Sequence, residues 1–188
     1  MHRPEGMRAR YRLYLLGSFA LTDRTGRSLA PKSQKAQALL AMLALARRGL
    51  PSRVWLRDKL WSDRSEEHAF ANLRQTLLEI RKTLGSARAL VQADKLSVWL
   101  DLEQVELDLQ QTTAWERAND QLLEGIDVRD PEFEEWLRLE RQIWQTGLRR
   151  VGGPAMLDRG DAAGSSGELR REHRRATSLP HMEKVHRG

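Results

Sequence analysis

Between Tyr11 and Leu21 the apolar residues Leu13, Leu15, Phe19 and Leu21 fall on alternate positions, with Gly17 interrupting them. This two-residue period predicts a half-buried strand. Thr22-Asp23-Arg24-Thr25-Gly26 reads as a turn, and Arg27 to Leu29 as a short return, so a small antiparallel sheet opens the chain. After Pro31 the period changes. Ala36, Leu39, Leu40, Leu43 and Leu45 follow a helical face behind Ser33 as N-cap, with Arg47, Arg48 and Gly49 as its closing turn. A second helix starts at Ser52, carrying Val54, Leu56, Leu60 and Trp61. A third starts at Ser65 and runs without Gly or Pro to Leu84, where Gly85 ends it.

Alternation returns at Leu90 to Leu100, with Leu96, Val98 and Leu100 on one face and Ala93-Asp94-Lys95 at the tip of a hairpin. Strands, three helices with short connections and a hairpin define an α+β chain: a winged helix-turn-helix with an N-terminal antiparallel sheet and a C-terminal hairpin wing. A short all-α segment follows. Leu107 to Asn119 is expected to be helical, and Gly125 to Asp130 forms a loop. A stronger helix then begins with Asp130 as cap and Pro131 in first position, and places Phe133, Trp136, Leu137, Trp144 and Leu148 on one stripe. The expected division is residues 10–105 for the winged helix, 106–150 for the helical segment and 151–188 for a disordered basic tail. That tail is rich in Gly, Ser, Arg, Glu and His and poor in apolar residues.

Charge sharpens this division. Residues 1–100 carry 19 basic and 8 acidic side chains, residues 101–144 carry 4 and 13, and residues 145–188 carry 9 and 5. The basic front points to a polyanionic partner, and the acidic middle to a different one. No apolar run reaches spanning length, and Met1 to Arg12 lacks a signal-like core, so no membrane association is expected. The absence of cysteine excludes disulfides, thiolate metal sites and cysteine nucleophiles, and is compatible with a cytoplasmic location.

Taking Leu73 as reference, Ala69, Leu73, Leu77, Ile80 and Leu84 lie within about 40° of one direction of the third helix. Ala71, Gln75, Leu78, Glu79 and Lys82 point away from that stripe, with Arg74 and Arg81 on one shoulder and Asn72 and Thr76 nearer the other side. Arg suits guanine, Gln suits adenine, and Glu accepts from the cytosine amino group. Arg81, Lys82, Asn72 and Thr76 suit phosphate oxygens, which position a helix without reading sequence. Lys95 at the wing and Arg53 and Arg57 on the second helix are further backbone-contact candidates. The same polar face is also what any amphipathic helix turns to solvent.

Several segments together resemble the DNA-binding domain of the Streptomyces antibiotic regulatory proteins (SARPs), whose winged helix is similar to the OmpR/PhoB class. They are Leu15-Leu16-Gly17-Ser18-Phe19, Lys35 to Ala44, Leu60-Trp61-Ser62-Asp63-Arg64 and, above all, Ala71 to Gly85. The resemblance covers about residues 10 to 105. It implies a third helix in the major groove of promoter DNA, a wing at the neighbouring minor groove, and protomers paired on direct repeats. Carried onto matching positions, it implies base contacts from Arg74, Gln75 and Glu79, and phosphate contacts from Asn72, Thr76 and Arg81. Relatives commonly carry a polar residue and then Arg where this chain has Leu78-Glu79, so their operator preference does not transfer.

Leu122 to Arg141 is similar to the opening of the bacterial transcriptional activation domain that accompanies such DNA-binding domains. This implies transcriptional activation through RNA polymerase. Because that domain is normally a much longer helical array, Phe133, Trp136 and Trp144 are expected to lack their usual cover and to form a dimer or docking contact. A protein-interaction module built on a winged-helix scaffold is the competing reading.

Enzymatic chemistry is not expected. Of His2, His68, His173, His181 and His186, only His68 lies outside the predicted tails. No Gly-rich phosphate loop, HExxH helix or calcium loop is present. Neither a cofactor nor a metal is expected. Only about ten residues precede the first strand, so no receiver domain for phosphotransfer is expected within the chain.

Overall fold

The computed structural model describes residues 9–46, 50–110 and 120–150. Tyr11–Tyr14 (β1) pairs antiparallel with Ala20–Asp23 (β2), with Leu13 opposite Leu21. In the turn that follows, the Asp23 carboxylate accepts from the backbone N–H groups of Thr25 (2.9 Å) and Arg27 (3.1 Å). Gly26 supplies the positive φ of +86° that the reversal needs. The return strand is reduced to a single bridge between Thr22 and Ser28.

The sheet is not wholly antiparallel. Val105–Leu107 (β5) lies parallel to β1 on its other side, giving the order β2-β1-β5. This corrects the expectation of a helix starting at Leu107, which instead ends the strand. A single 3₁₀ turn, Asp108–Gln110, follows, and the remainder of that expected helix lies outside the described residues.

Helix α1 (Gln34–Leu45) is buried on nearly every side, as its run of Ala, Leu and Met dictates. Ser33 caps it by accepting from Ala36 N–H. The expected closing turn at residues 47–49 lies outside the described residues. Helix α2 (Arg53–Leu60) starts at Ser52, whose hydroxyl accepts from Trp55 N–H at 3.0 Å. Helix α3 (Glu66–Leu84) ends at Gly85, where φ is +57°. A 3₁₀ turn then leads into the hairpin of β3 (Val91–Ala93) and β4 (Val98–Leu100), which pair antiparallel. The result is a mixed α+β, winged-helix-like arrangement.

Helix α4 (Pro131–Arg150) packs against α2. Phe133 is completely buried, Trp136 and Leu137 are buried beside it, and the Phe133 and Trp136 ring centroids lie 5.4 Å apart. Trp144 is partly buried on the same core. Phe133 and Trp136 are thus covered by the chain's own core rather than left as the exposed docking surface expected of a shortened activation domain, and Trp144 is covered in part. One hydrophobic core spans the expected boundary at residue 105, and β5 crosses it. The expected tail, residues 151–188, lies outside the described residues.

Two buried carboxylates fasten this second segment. Asp108 accepts from the N–H groups of Leu15 and Leu16, both at 3.0 Å. Asp130, only 1% exposed, accepts from the Ser62 N–H (2.8 Å) and hydroxyl (2.8 Å) and from Glu132 N–H (3.0 Å). It therefore caps α4 and holds the turn between α2 and α3 with the same group. Asp130→Ala leaves these donors without their acceptor, and is expected to destabilise the fold by about 1–3 kcal/mol in urea unfolding. A change within about 0.5 kcal/mol, the range of an ordinary surface substitution, would contradict this role.

Candidate nucleic-acid interface

The rotation of α3 about its axis follows from its apolar stripe. Ala69, Leu73, Leu77, Ile80 and Leu84 are all buried against the core. The opposite side presents Ala71, Arg74, Gln75, Leu78 and Lys82 to solvent. Of the expected base contacts, Arg74 and Gln75 lie on this exposed face, whereas Glu79 is half-buried on its flank. Of the expected phosphate contacts on α3, Lys82 is exposed and Asn72 and Arg81 are half-buried. The Arg81 guanidinium also reaches the Val91 carbonyl at 3.5 Å, at the edge of the hairpin.

Thr76 and Arg57 are placed differently from the sequence expectation. Thr76 is only 8% exposed, because it lies about 40° from Ile80 on the helical wheel and so turns with the core stripe. Arg57 keeps 13% of its side-chain surface exposed. It donates to Asp58 at 2.7 Å and Glu66 at 2.6 Å, and its guanidinium lies 4.5 Å from the centre of the Phe70 ring. The hydrogen bonds it donates to Asp58 and then to Glu66 raise its already high pKa. Arg57 thus joins α2 to the first turn of α3 and has little of its charge left to offer a ligand.

The turn leading into α3 is held from two sides. Lys35 on α1 donates to the Leu60 carbonyl at 2.6 Å, and its ammonium lies 5.1 Å from the centre of the Trp61 ring. Burial lowers the Lys35 pKa, and the negative charges of Asp130 and Asp63 act against that shift. On the other side stands Asp130, bonded to Ser62. At the N-terminus of α3, the Ser65 hydroxyl pairs with Nδ1 of the exposed His68 at 2.8 Å and makes no side-chain cap bond.

The wing is rooted on α2. Arg53 N–H donates to the Leu96 carbonyl (2.7 Å), Val98 N–H to the Pro51 carbonyl (3.0 Å), and Arg53 Nε to the Asp94 carbonyl (2.9 Å). Arg53 is therefore engaged in holding the hairpin. Within the tip, the Asp94 carboxylate accepts from Ser97 N–H at 2.6 Å and Leu96 N–H at 2.8 Å. These bonds, the Ser97 one foremost, hold its pKa below the usual carboxylate value. Lys95 is exposed beside this anion.

The described surface thus offers a helix face bearing two cations, an amide and a leucine, with the exposed Glu67 on the same side at its start, together with a braced hairpin carrying one further lysine. Leu78 stands out among these because the sequence places it on the outward face without giving it a role. Among the described residues, no group of three or more His, Asp or Glu side chains is placed to hold a metal ion, and no helix is long and apolar enough to cross a membrane.

No protein-family model and no curated protein matches this sequence. Among solved structures, "Mycobacterium tuberculosis EmbR in complex with low affinity phosphopeptide" is similar to this chain over 77% of its length, with 21% identity and a TM-score of 0.48. The match covers 42% of the EmbR chain, so this chain spans less than half of that protein.

Proposed function

We propose that this chain is a sequence-specific DNA-binding transcriptional regulator of the SARP type, with α3 seated in the major groove and the β3–β4 hairpin against the adjacent minor groove. One observation carries the reading: the buried stripe of α3 leaves Arg74, Gln75, Leu78 and Lys82 together on an exposed face. Those groups match what a groove offers. Arg74 and Gln75 can form paired hydrogen bonds to guanine and adenine edges, and Lys82 supplies a point charge for phosphate. Glu79, on the flank, can accept from a cytosine amino group at the groove wall.

Arg57 and Thr76 fall out of the contact set, since one is held in ion pairs and the other is turned into the core. Asn72, Arg81 and Lys95 remain candidates for the DNA backbone. Transcriptional activation through RNA polymerase, pairing of protomers on direct repeats, and a cytoplasmic, non-enzymatic role without cofactor belong to the same reading. The burial of Phe133 and Trp136 takes two of the three aromatic side chains from the surface on which the competing protein-interaction reading rested, while Trp144 is covered only in part.

Selection of duplexes from a random library with the full chain, followed by mobility-shift titration, tests the proposal. Enrichment of a defined site is expected. The logarithm of affinity should fall with the logarithm of salt concentration at a slope of roughly −5 to −7, the signature of about five to eight neutralised phosphates. A nearly flat salt dependence would contradict it. Arg74→Ala should cost on the order of 1–3 kcal/mol and relax preference at one base pair. Lys82→Ala should weaken all duplexes alike and reduce the salt slope by about one. If both variants bound as the unaltered chain does, α3 would not be the reading helix.

A further inference from the structure

Leu78 lies at the centre of the outward face of α3, with Ala71, Arg74 and Lys82 within about 40° of it on the helical wheel and Gln75 within about 60°. It is 60% exposed. Exposed leucines are ordinary on protein surfaces, so the exposure alone carries nothing. Its setting is more informative. No other residue of α3 is a large exposed hydrophobic, and the side chains one turn before and one turn after Leu78 are the cations Arg74 and Lys82.

A lone leucine between two cations is a poor anchor for a protein partner, which needs a contiguous apolar patch and would have to strip water from both charges. It is a good match for a nucleic acid. The major groove of B-form DNA presents one apolar feature on its base edges, the C5-methyl of thymine, in a setting otherwise composed of hydrogen-bonding groups and flanked by phosphates. On α3, Arg74 and Lys82 can engage the polar and anionic groups on either side, leaving the intervening position for apolar contact.

We infer that Leu78 determines specificity by packing its side chain on the C5-methyl of a thymine in the bound site. The inference rests on the DNA-binding reading above and adds to it a base and an atom.

The test uses the full chain and the duplex that emerges from random-library selection. Each thymine is replaced in turn by deoxyuridine, which removes the C5-methyl and leaves every hydrogen-bonding group in place. At one position the unaltered chain is expected to lose affinity by about fourfold, the worth of one methyl-sized group withdrawn from water. Leu78→Ala should bind the thymine duplex more weakly by at least that factor, and should not distinguish thymine from deoxyuridine there. Because Leu78 is exposed, the variant is expected to keep the far-ultraviolet circular dichroism of the unaltered chain.

If every thymine can be replaced without loss, or if Leu78→Ala retains the full methyl sensitivity, the inference is overturned while the DNA-binding reading stands. If no duplex is enriched at all, that reading falls and takes the inference with it.

Discussion

The burial of one stripe on α3 is the constraint from which the candidate interface follows. Each of Leu73, Leu77, Ile80 and Leu84 gains about 1.5–3 kcal/mol from leaving water. Rotating the helix by even one residue position, about 100°, would expose part of that set. The outward face is therefore fixed by the inward one. Neighbouring elements hold the same orientation from its two ends, through Arg57 on Glu66 at the start and Arg81 on the Val91 carbonyl near the finish.

The segment after residue 105 is a fastening as much as an appendage. A buried carboxylate is expensive unless hydrogen bonds replace its lost water, and both Asp108 and Asp130 find theirs on backbone N–H groups far away in sequence. Asp108 grips the end of the first strand. Asp130 grips the turn that launches α3 while capping α4. The Lys59–Glu132 ion pair, at 2.5 Å, lies alongside. In consequence, α4 is coupled to α2 and the turn after it through a charged hydrogen-bond network as well as through the packing of Phe133 and Trp136.

Local signals made much of this legible in the sequence. Ser33, Ser52 and Asp130 cap helices as their spacing predicts, Gly85 ends α3, and the hairpin turns at Asp94. The departures share a cause, which is that each depends on a partner distant in the chain or on a side chain at the margin of a periodic pattern. Val105–Leu107 is too short to show alternation, and it becomes a strand only because β1 lies beside it. Thr76 is polar by composition but sits near the core direction of the helix, so geometry prevails over residue type. Arg57 is read from sequence as free charge, yet Glu66 and the Phe70 ring, across a turn, claim it. Phe133 and Trp136 look uncovered when the activation-domain resemblance is followed, because the cover comes from α2 and the core built by the preceding segment. Leu78 shows the converse: its place on the outward face between Arg74 and Lys82 is evident from the helical period, and its 60% exposure is what the folded surface adds.

A crystal structure of the chain on its selected duplex decides whether α3 is the helix that reads DNA. The expected result is α3 in the major groove, with Arg74, Gln75 and Leu78 against base edges, Lys82 at a phosphate, and Ala69, Leu73, Leu77, Ile80 and Leu84 still buried in protein. A complex in which the duplex lies on another surface and this face of α3 remains in solvent would contradict it.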